Sequence, residues 1–246
     1  MPNRILKDIR FYESEIQNIE GKSMPHQLGK LFIPTNDTNF IGQRIARKLN
    51  ELEYSYDEYD HIYINFTTFL KENEILISNR NIDKRIKYID FGIDSTKVNS
   101  LSDIEKNNFT RTATFKILHE LSNDKNFELV RQVENQMNDF ETEIKIHYKT
   151  KETSSYKIDI YYQIEAIKNG TNAIIEYLDK KNNILRCGNF KLHFYEDIYT
   201  LVDKIILSKE DEIILKAKTS YSASIANERY RTPIKLKIDE LQINCS

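Results

Sequence analysis

The chain lacks tryptophan and is poor in glycine and cysteine, with six and two of these residues among 246. The glycines lie far apart, so the sequence cannot form the glycine-rich loop that holds phosphates in P-loop and Rossmann proteins. The cysteines, Cys187 and Cys245, lack the spacing of a zinc site or of a disulfide framework. We expect two reduced thiols, as in a cytosolic protein.

Long apolar runs and a strong excess of one charge are also missing. No run approaches the roughly 18 apolar residues that a membrane-spanning helix needs. Charged residues interrupt the N-terminal "MPNRILKDIRFYESEIQ", which excludes a signal peptide. The formal net charge of -2 gives no general attraction for nucleic acid or for an anionic membrane. The sequence therefore predicts a soluble, cytoplasmic protein without a membrane partner.

Signatures of catalysis are absent from the sequence too. The chain has no G-x-S-x-G, and "HE" at 119–120 lacks the second histidine that a zincin helix carries four residues later. "DEYDH" at 57–61 resembles a set of metal ligands, but the adjacent Asp60 and His61 would point to opposite faces of a strand. We expect no metal, no cofactor and no enzymatic activity. A metal-dependent enzyme built on "DEYDH" is an alternative that metal analysis can decide.

What the sequence does contain is a clear change in apolar period. Ile41, Ile45 and Leu49 recur at helical spacing, and two further helices are predicted over 103–122 and 126–140. Beyond them, "TEIKIHYKT" and "YKIDIYYQI" alternate apolar and polar residues, which predicts antiparallel strands joined by short loops. We predict an α+β fold, with mixed strands and about three helices first and an antiparallel β-rich half after them.

Two subdomains, 1–140 and 141–246, follow from that change, and a single domain with a shared core is the alternative. Within the first part, "KLFIP" at 30–34 is predicted to be a short strand. "HIYINFTTF" at 61–69 alternates Ile62, Ile64 and Phe66 with polar residues, which predicts a half-buried strand.

The stretch before that strand, "ELEYSYDEYD" at 51–60, combines five acidic residues with three tyrosines. Clustered carboxylates repel one another, and an ordinary solvated loop is one explanation for them. Tyrosine supplies contact area at low entropic cost and is enriched at interface hot spots. We predict a surface that captures a basic protein partner, formed by Glu53, Tyr54, Tyr56, Asp57, Glu58 and Asp60.

A basic segment at 80–87 supports a second hypothesis. "NRNIDKRIK" contains Arg80, Lys84, Arg85 and Lys87, and the aromatic residues of the strands offer platforms for stacked bases. Asp83 interrupts the run and the whole chain is slightly acidic, so solvated charges on a sheet explain the segment without a ligand. A nucleic-acid-binding or processing protein is therefore the alternative function.

The stretch "YDHIYINFTTFLKENEILISNRNIDKRIKYIDFGID" at 59–94 resembles immunity proteins of bacterial polymorphic toxin and contact-dependent inhibition systems. The similarity lies in "HIYINFT", "EILISNRNID" and "YIDFGID", followed by a helical stretch, and extends over about residues 30–140. The resemblance implies a cytoplasmic, non-enzymatic protein that binds one cognate toxin domain and blocks it. Many such toxins attack nucleic acids and are basic, which agrees with an acidic inhibitor surface.

Overall fold

A computed structural model describes residues 4–166 and 170–243 of the chain. They divide into two compact units, Met1–Ile144 and Lys145–Ser246. The first unit combines a mixed sheet with helices and the second contains antiparallel sheets, so the predicted α+β class is confirmed.

From residue 4 onward, the described part of the first unit holds four strands and four α-helices. Its strands are β1 (Asp8–Ser14), β2 (His61–Thr67), β3 (Ile75–Ile77) and β4 (Ile86–Gly92), and its helices are α1 (Thr38–Glu51), α2 (Ser95–Asn99), α3 (Asp103–Leu121) and α4 (Asp124–Phe140). The sheet order is β1-β2-β4-β3, in which β1, β2 and β4 run parallel and β3 pairs antiparallel with β4.

The predicted apolar face of β2 forms the centre of the core. Ile62, Ile64 and Phe66 are fully buried and share one apolar cluster with neighbouring strand residues and with α1, α3 and α4. Burying a large apolar side chain contributes roughly 1.5–3 kcal/mol. On α1, Gly42 permits a close approach, because a Cβ there would lie 2.6 Å from the carbonyl oxygen of Ile9.

The other face of β2 is buried as well, which corrects the prediction of a half-buried strand. Asn65 and Thr67 are inaccessible, and Tyr63 packs with Tyr12 and Tyr88. Parallel sheets are usually covered on both faces, and β2 lies between two parallel neighbours. A polar residue in this strand is therefore a buried group that needs hydrogen-bond partners.

The two longest helices, α3 and α4, follow each other in the chain and pack against each other as a hairpin. α3 begins with a capping box, in which the Ser102 hydroxyl accepts from the Glu105 N–H and the Glu105 carboxylate accepts from the Ser102 N–H. The Asn123 side chain caps α4 in the same way, by accepting from a backbone N–H of the first turn. His119 and Glu134 join the two helices, with 2.8 Å between Nε2 and Oε2.

Residues 30–34 do not form the predicted strand. The backbone N–H groups of Lys30, Leu31 and Phe32 donate to the buried carboxylate of Glu13, at 2.8 to 3.1 Å. A fourth donor is the N–H of Gly29, at 3.2 Å. The carboxylate thus replaces the strand partner that the sequence pattern implied.

Over residues 145–166 and 170–243, the second unit contains eight strands and two short α-helices. Its strands are β5 (Ile146–Glu152), β6 (Tyr156–Tyr162), β7 (Asn172–Asp179), β8 (Ile184–Lys191), β9 (Lys204–Leu207), β10 (Glu212–Lys216), β11 (Ile234–Lys237) and β12 (Gln242–Ile243), and its helices are α5 (Ile198–Leu201) and α6 (Tyr221–Asn227). One antiparallel sheet has the order β12-β8-β7-β6-β5, and the other has the order β11-β10-β9.

Lysines connect the edges of these two sheets. From β5, Lys149 Nζ donates to the carbonyl oxygen of Asp203 at 2.5 Å, and Lys151 Nζ donates to that of Ile205 at 3.0 Å. Asp203 immediately precedes β9 and Ile205 lies within it. The two ammonium groups therefore satisfy backbone acceptors that an edge strand otherwise exposes.

Cys187, in β8, is disulfide-bonded, which corrects the prediction of a reduced thiol at that position. Cys245 lies outside the described residues. Disulfides persist mainly in oxidising compartments, so cysteine content gives no support to a cytoplasmic location. Within the described ranges, no helix combines the length and apolar character needed to cross a membrane.

Candidate functional site

The predicted contact surface lies in the connection between α1 and β2, which we call the acidic loop (residues 52–60). Of the six predicted residues, Glu53 and Asp57 are exposed and Tyr56 and Glu58 are half-buried. The other two are interior: Tyr54 is 0% exposed and Asp60 is 2% exposed. Tyr54 and Asp60 therefore cannot contact a partner directly, which corrects that part of the prediction.

Tyr54 anchors the acidic loop to the core of the first unit. Its N–H donates to the carbonyl of Leu49, and its own carbonyl accepts from the N–H of Leu6, both at 2.9 Å. Burial raises the pKa of the Tyr54 hydroxyl. Next to it, the carbonyl of Ser55 accepts from Nδ2 of Asn126 at 2.7 Å, which ties the loop to α4.

Asp60 anchors the other end of the acidic loop. Its carboxylate accepts from Lys7 Nζ at 2.9 Å and lies 2.6 Å from Nδ1 of His61. Burial alone would raise the pKa of this carboxyl, but hydrogen bonds from Lys7 and His61 outweigh it and bring the pKa below its ordinary value. Asp60 thus holds the start of β2 against the residues that precede β1.

The contact between Asp60 and His61 differs from the prediction that they diverge. Asp60 precedes β2, so the alternation of a strand does not separate the two side chains. Across residues 4–166 and 170–243, no group of three or more His, Cys, Asp or Glu side chains is placed to hold a metal ion. The pair is a hydrogen-bonded contact at the start of β2.

Between the anchors, two tyrosines form the apolar part of the surface. The rings of Tyr56 and Tyr59 stack with 6.1 Å between centroids, and their backbones form an isolated β-bridge. Lys87 Nζ lies 4.9 Å from the centre of the Tyr59 ring, a cation–π contact. These contacts fix the positions of both rings, and each tyrosine remains partly accessible to solvent.

Glu53 and Asp57 have left-handed backbone conformations, with φ of 57° and 48°. Aspartate adopts this conformation more readily than glutamate, and each such residue costs roughly 1–2 kcal/mol. The hydrogen bonds of Tyr54 and Asp60 stabilise the loop and offset the free-energy cost of these two backbone conformations. Such strain is concentrated at functional sites, where the surrounding structure fixes an unusual geometry.

The carboxylates of Glu53, Asp57 and Glu58 have no cationic side chain within ion-pair distance in the part of the chain that the structure describes. Acidic groups elsewhere in the first unit are often paired, as Asp37 is with Arg44 and Glu72 with Lys97. The acidic loop is thus a rigid turn with three unpaired carboxylates around two aromatic rings.

The basic segment 80–87 presents a less basic surface than its sequence suggests. Arg80 is buried and forms an ion pair with Asp90, with Nη1 2.8 Å from Oδ1. Arg85 pairs with Asp83 at 2.8 Å, and Lys87 lies over the Tyr59 ring. Three of the four cations proposed for phosphate contacts are therefore engaged within the protein.

Sequence reasoning missed the polar network that surrounds Arg80. Asp90 Oδ1 accepts from Arg80 Nη1 and from Asn65 Nδ2, and Asn65 Oδ1 accepts from Ser14 Oγ at 2.9 Å. The sequence signal was the presence of Asn65 and Asp90 inside the apolar strands β2 and β4. Buried polar residues need partners, so two of them in adjacent strands indicate a network.

Comparison of the chain with models of known protein families, with curated proteins and with solved structures gives no match. The geometry of the described residues is therefore the basis for any functional assignment.

Proposed function

We propose that this protein is an immunity protein, which binds a cognate bacterial toxin domain and neutralises it. The observation that carries the proposal is the acidic loop, where Glu53, Asp57 and Glu58 are unpaired beside the half-buried rings of Tyr56 and Tyr59. The resemblance of residues 59–94 to immunity proteins supports the same function.

Electrostatics indicate the character of the partner. Three carboxylates within six residues create a local negative potential that attracts a basic surface and accelerates encounter. The two tyrosine rings then supply contact area that needs little further ordering, since stacking and the Lys87 contact already fix them. A basic toxin domain meets both requirements.

Rigidity of the acidic loop supports inhibition by direct coverage of the toxin. Its anchors, Tyr54 and Asp60, are buried and hydrogen-bonded. A preformed surface loses little conformational entropy on binding, which favours tight association. A standard interface covers about 800 Å² on each partner, so we expect the acidic loop to be one part of a larger contact.

The test uses the purified product of the adjacent upstream gene as the partner. We expect a stable complex with this chain and rescue of cells that express the upstream product. Absence of both the complex and the rescue would refute the proposed function.

Paired substitutions locate the interface on that complex. Asp57→Asn with Glu58→Gln removes two charges, and asparagine tolerates the left-handed backbone at position 57. We expect association at low salt to slow about tenfold and to depend less on ionic strength. The matched control, Glu120→Gln with Asp139→Asn, removes two exposed charges from α3 and α4. Equal rates for both pairs would place the interface away from the acidic loop.

A further inference from the structure

A cavity of about 770 Å³ lies at the carboxyl end of β1. Its lining comes from the chain between Glu13 and Leu31 together with Arg80, and we call it the β1 cavity. We propose that the β1 cavity binds one small organic molecule that has an apolar body and an acidic head group. This site is separate from the acidic loop and does not depend on the proposed function.

Arg80 is the buried cation among the described residues of the β1 cavity, whose lining also contains charged residues of both signs: Glu13, Glu15, Glu20, Lys22 and Lys30. Arg80 Nη1 donates to Ser78 Oγ and Asp90 Oδ1, its Nη2 donates to Ser14 Oγ at 3.0 Å, and its Nε donates to the carbonyl of Ser23 at 3.3 Å. A guanidinium carries five N–H groups, and these contacts use four of them. Among the described residues, the second N–H of Nη2 has no acceptor, although Arg80 is 6% exposed.

Apolar side chains form much of the cavity wall. Ile16 and Ile19 are 80% and 81% exposed, and Met24 is half exposed, although all three line the same cavity. Leu31, which is buried, belongs to the lining as well. Exposed apolar residues that are grouped rather than scattered mark a binding site.

The wall of the β1 cavity is held in place before any ligand arrives. Gly21 has a φ of +72°, and a Cβ there would lie 2.5 Å from the carbonyl oxygen of Asn79. The N–H of Asn81 donates to the Gly21 carbonyl at 2.9 Å, and Asn79 Nδ2 donates to the carbonyl of Ile19. Close backbone approach and two hydrogen bonds therefore fix the turn that carries Ile19.

Size and charge define the class of ligand. Pockets of about 300–1,000 Å³ enclose single small molecules, whereas protein partners use broader and flatter surfaces. The buried carboxylate of Glu13 is already satisfied by four backbone N–H groups, so it does not require a cationic ligand. The remaining N–H belongs to a guanidinium whose charge Asp90 already balances. A charged donor still forms a stronger hydrogen bond with a carboxylate or sulfonate oxygen than with a neutral acceptor.

The probe for this site is 8-anilinonaphthalene-1-sulfonate, which joins an apolar aromatic body to one sulfonate. We expect saturable binding with a stoichiometry of one, measured by fluorescence, and an increase in Tm of the full chain with probe concentration. The increase in Tm separates binding to the native protein from binding to an unfolded or loosened state.

Substitutions at the wall test the location. Ile16→Asp with Ile19→Asp places two carboxylates beside the sulfonate. We expect this double substitution to raise the Kd at least tenfold, which is a loss of at least about 1.4 kcal/mol of binding free energy. Both side chains are largely exposed, so the change spares the core. The control is Ile104→Asp on α3, where isoleucine is 74% exposed outside the cavity, and it should leave the affinity unchanged. No saturable binding, or equal affinities in all three proteins, would overturn the proposal.

The head group is tested with N-phenyl-1-naphthylamine, which has the same aromatic body without the sulfonate. We expect it to bind at least about tenfold more weakly than the sulfonate, because it offers no anionic acceptor to Arg80. Equal or tighter binding of the amine would overturn the assignment of an acidic ligand.

Discussion

Replacing Asp90 by asparagine tests the buried network of the first unit. Asp90 is 1% exposed and is the ion-pair partner of Arg80, which is itself buried. Asparagine has nearly the same shape and keeps an oxygen that can accept from Asn65 or Arg80. The substitution therefore removes the negative charge and leaves the guanidinium buried without a counter-ion.

The expected loss is large because water cannot replace the missing charge. Removal of one partner from a buried ion pair destabilises a protein by roughly 3–5 kcal/mol. With about 2.1 cal/mol/K of unfolding entropy per residue, that loss lowers the Tm of a unit as long as Met1–Ile144 by roughly 10–17 °C.

Thermal and urea unfolding, followed by circular dichroism, measure this change. Asp83→Asn is the matched control, since Asp83 also pairs with an arginine, but in a pair open to solvent: Arg85 is exposed and Asp83 is half-buried. Exposed ion pairs contribute little, so this variant should unfold close to the parent protein. If Asp90→Asn and Asp83→Asn lose the same stability, burial of the Arg80–Asp90 pair does not make the loss of its negative charge more costly.

Three further substitutions test other features of the first unit. Asp60 has a lowered pKa in the folded protein, so its contribution to stability is present above the unfolded pKa and is lost as pH falls through the folded pKa. Stability measured by urea unfolding should therefore differ between the parent and Asp60→Asn at pH 7, and the difference should shrink as the solution is made acidic. Burial raises the pKa of Tyr63 to about 12, so stability should fall as pH rises from 10 toward 12, and less so in Tyr63→Phe; identical alkaline profiles would contradict this. Gly92→Ala brings a Cβ to 1.8 Å from the backbone oxygen of Lys71 and should cost at least about 2 kcal/mol in urea unfolding, whereas Gly188→Ala meets only a side-chain methyl group of leucine and should cost less.

Helices α1, α3 and α4 of the first unit were predictable because local signals agree with tertiary packing, whereas the short α2 was not predicted. Ile41, Ile45 and Leu49 lie on one face of α1 and enter the core, and the Ser102 cap marks the start of α3. β1 was not predictable from the pattern, because charged residues interrupt it. The structure satisfies those charges through contacts with distant residues, as with Glu13 and the N–H groups of residues 29–32.

In the acidic loop too, the local sequence predicted the composition of the surface but not which of its residues are buried. Composition indicated a cluster of carboxylates and tyrosines, and four of the six predicted residues reach the surface or its border. Burial of Tyr54 and Asp60 depends on Leu6 and Lys7, which are about fifty positions away in the sequence. No local pattern distinguishes these two anchors from their exposed neighbours.

In the lysine contacts between β5 and β9, the donor positions should tolerate fewer substitutions than the acceptor positions. Lys149 and Lys151 bond to backbone carbonyl oxygens, which every amino acid possesses, so the side chain of Asp203 is free to change without loss of the contact. The donors have no such freedom, because the bonds need an amine at the end of a long, flexible chain. Across related sequences, substitution should therefore be frequent at position 203 and restricted to long cationic side chains at 149 and 151.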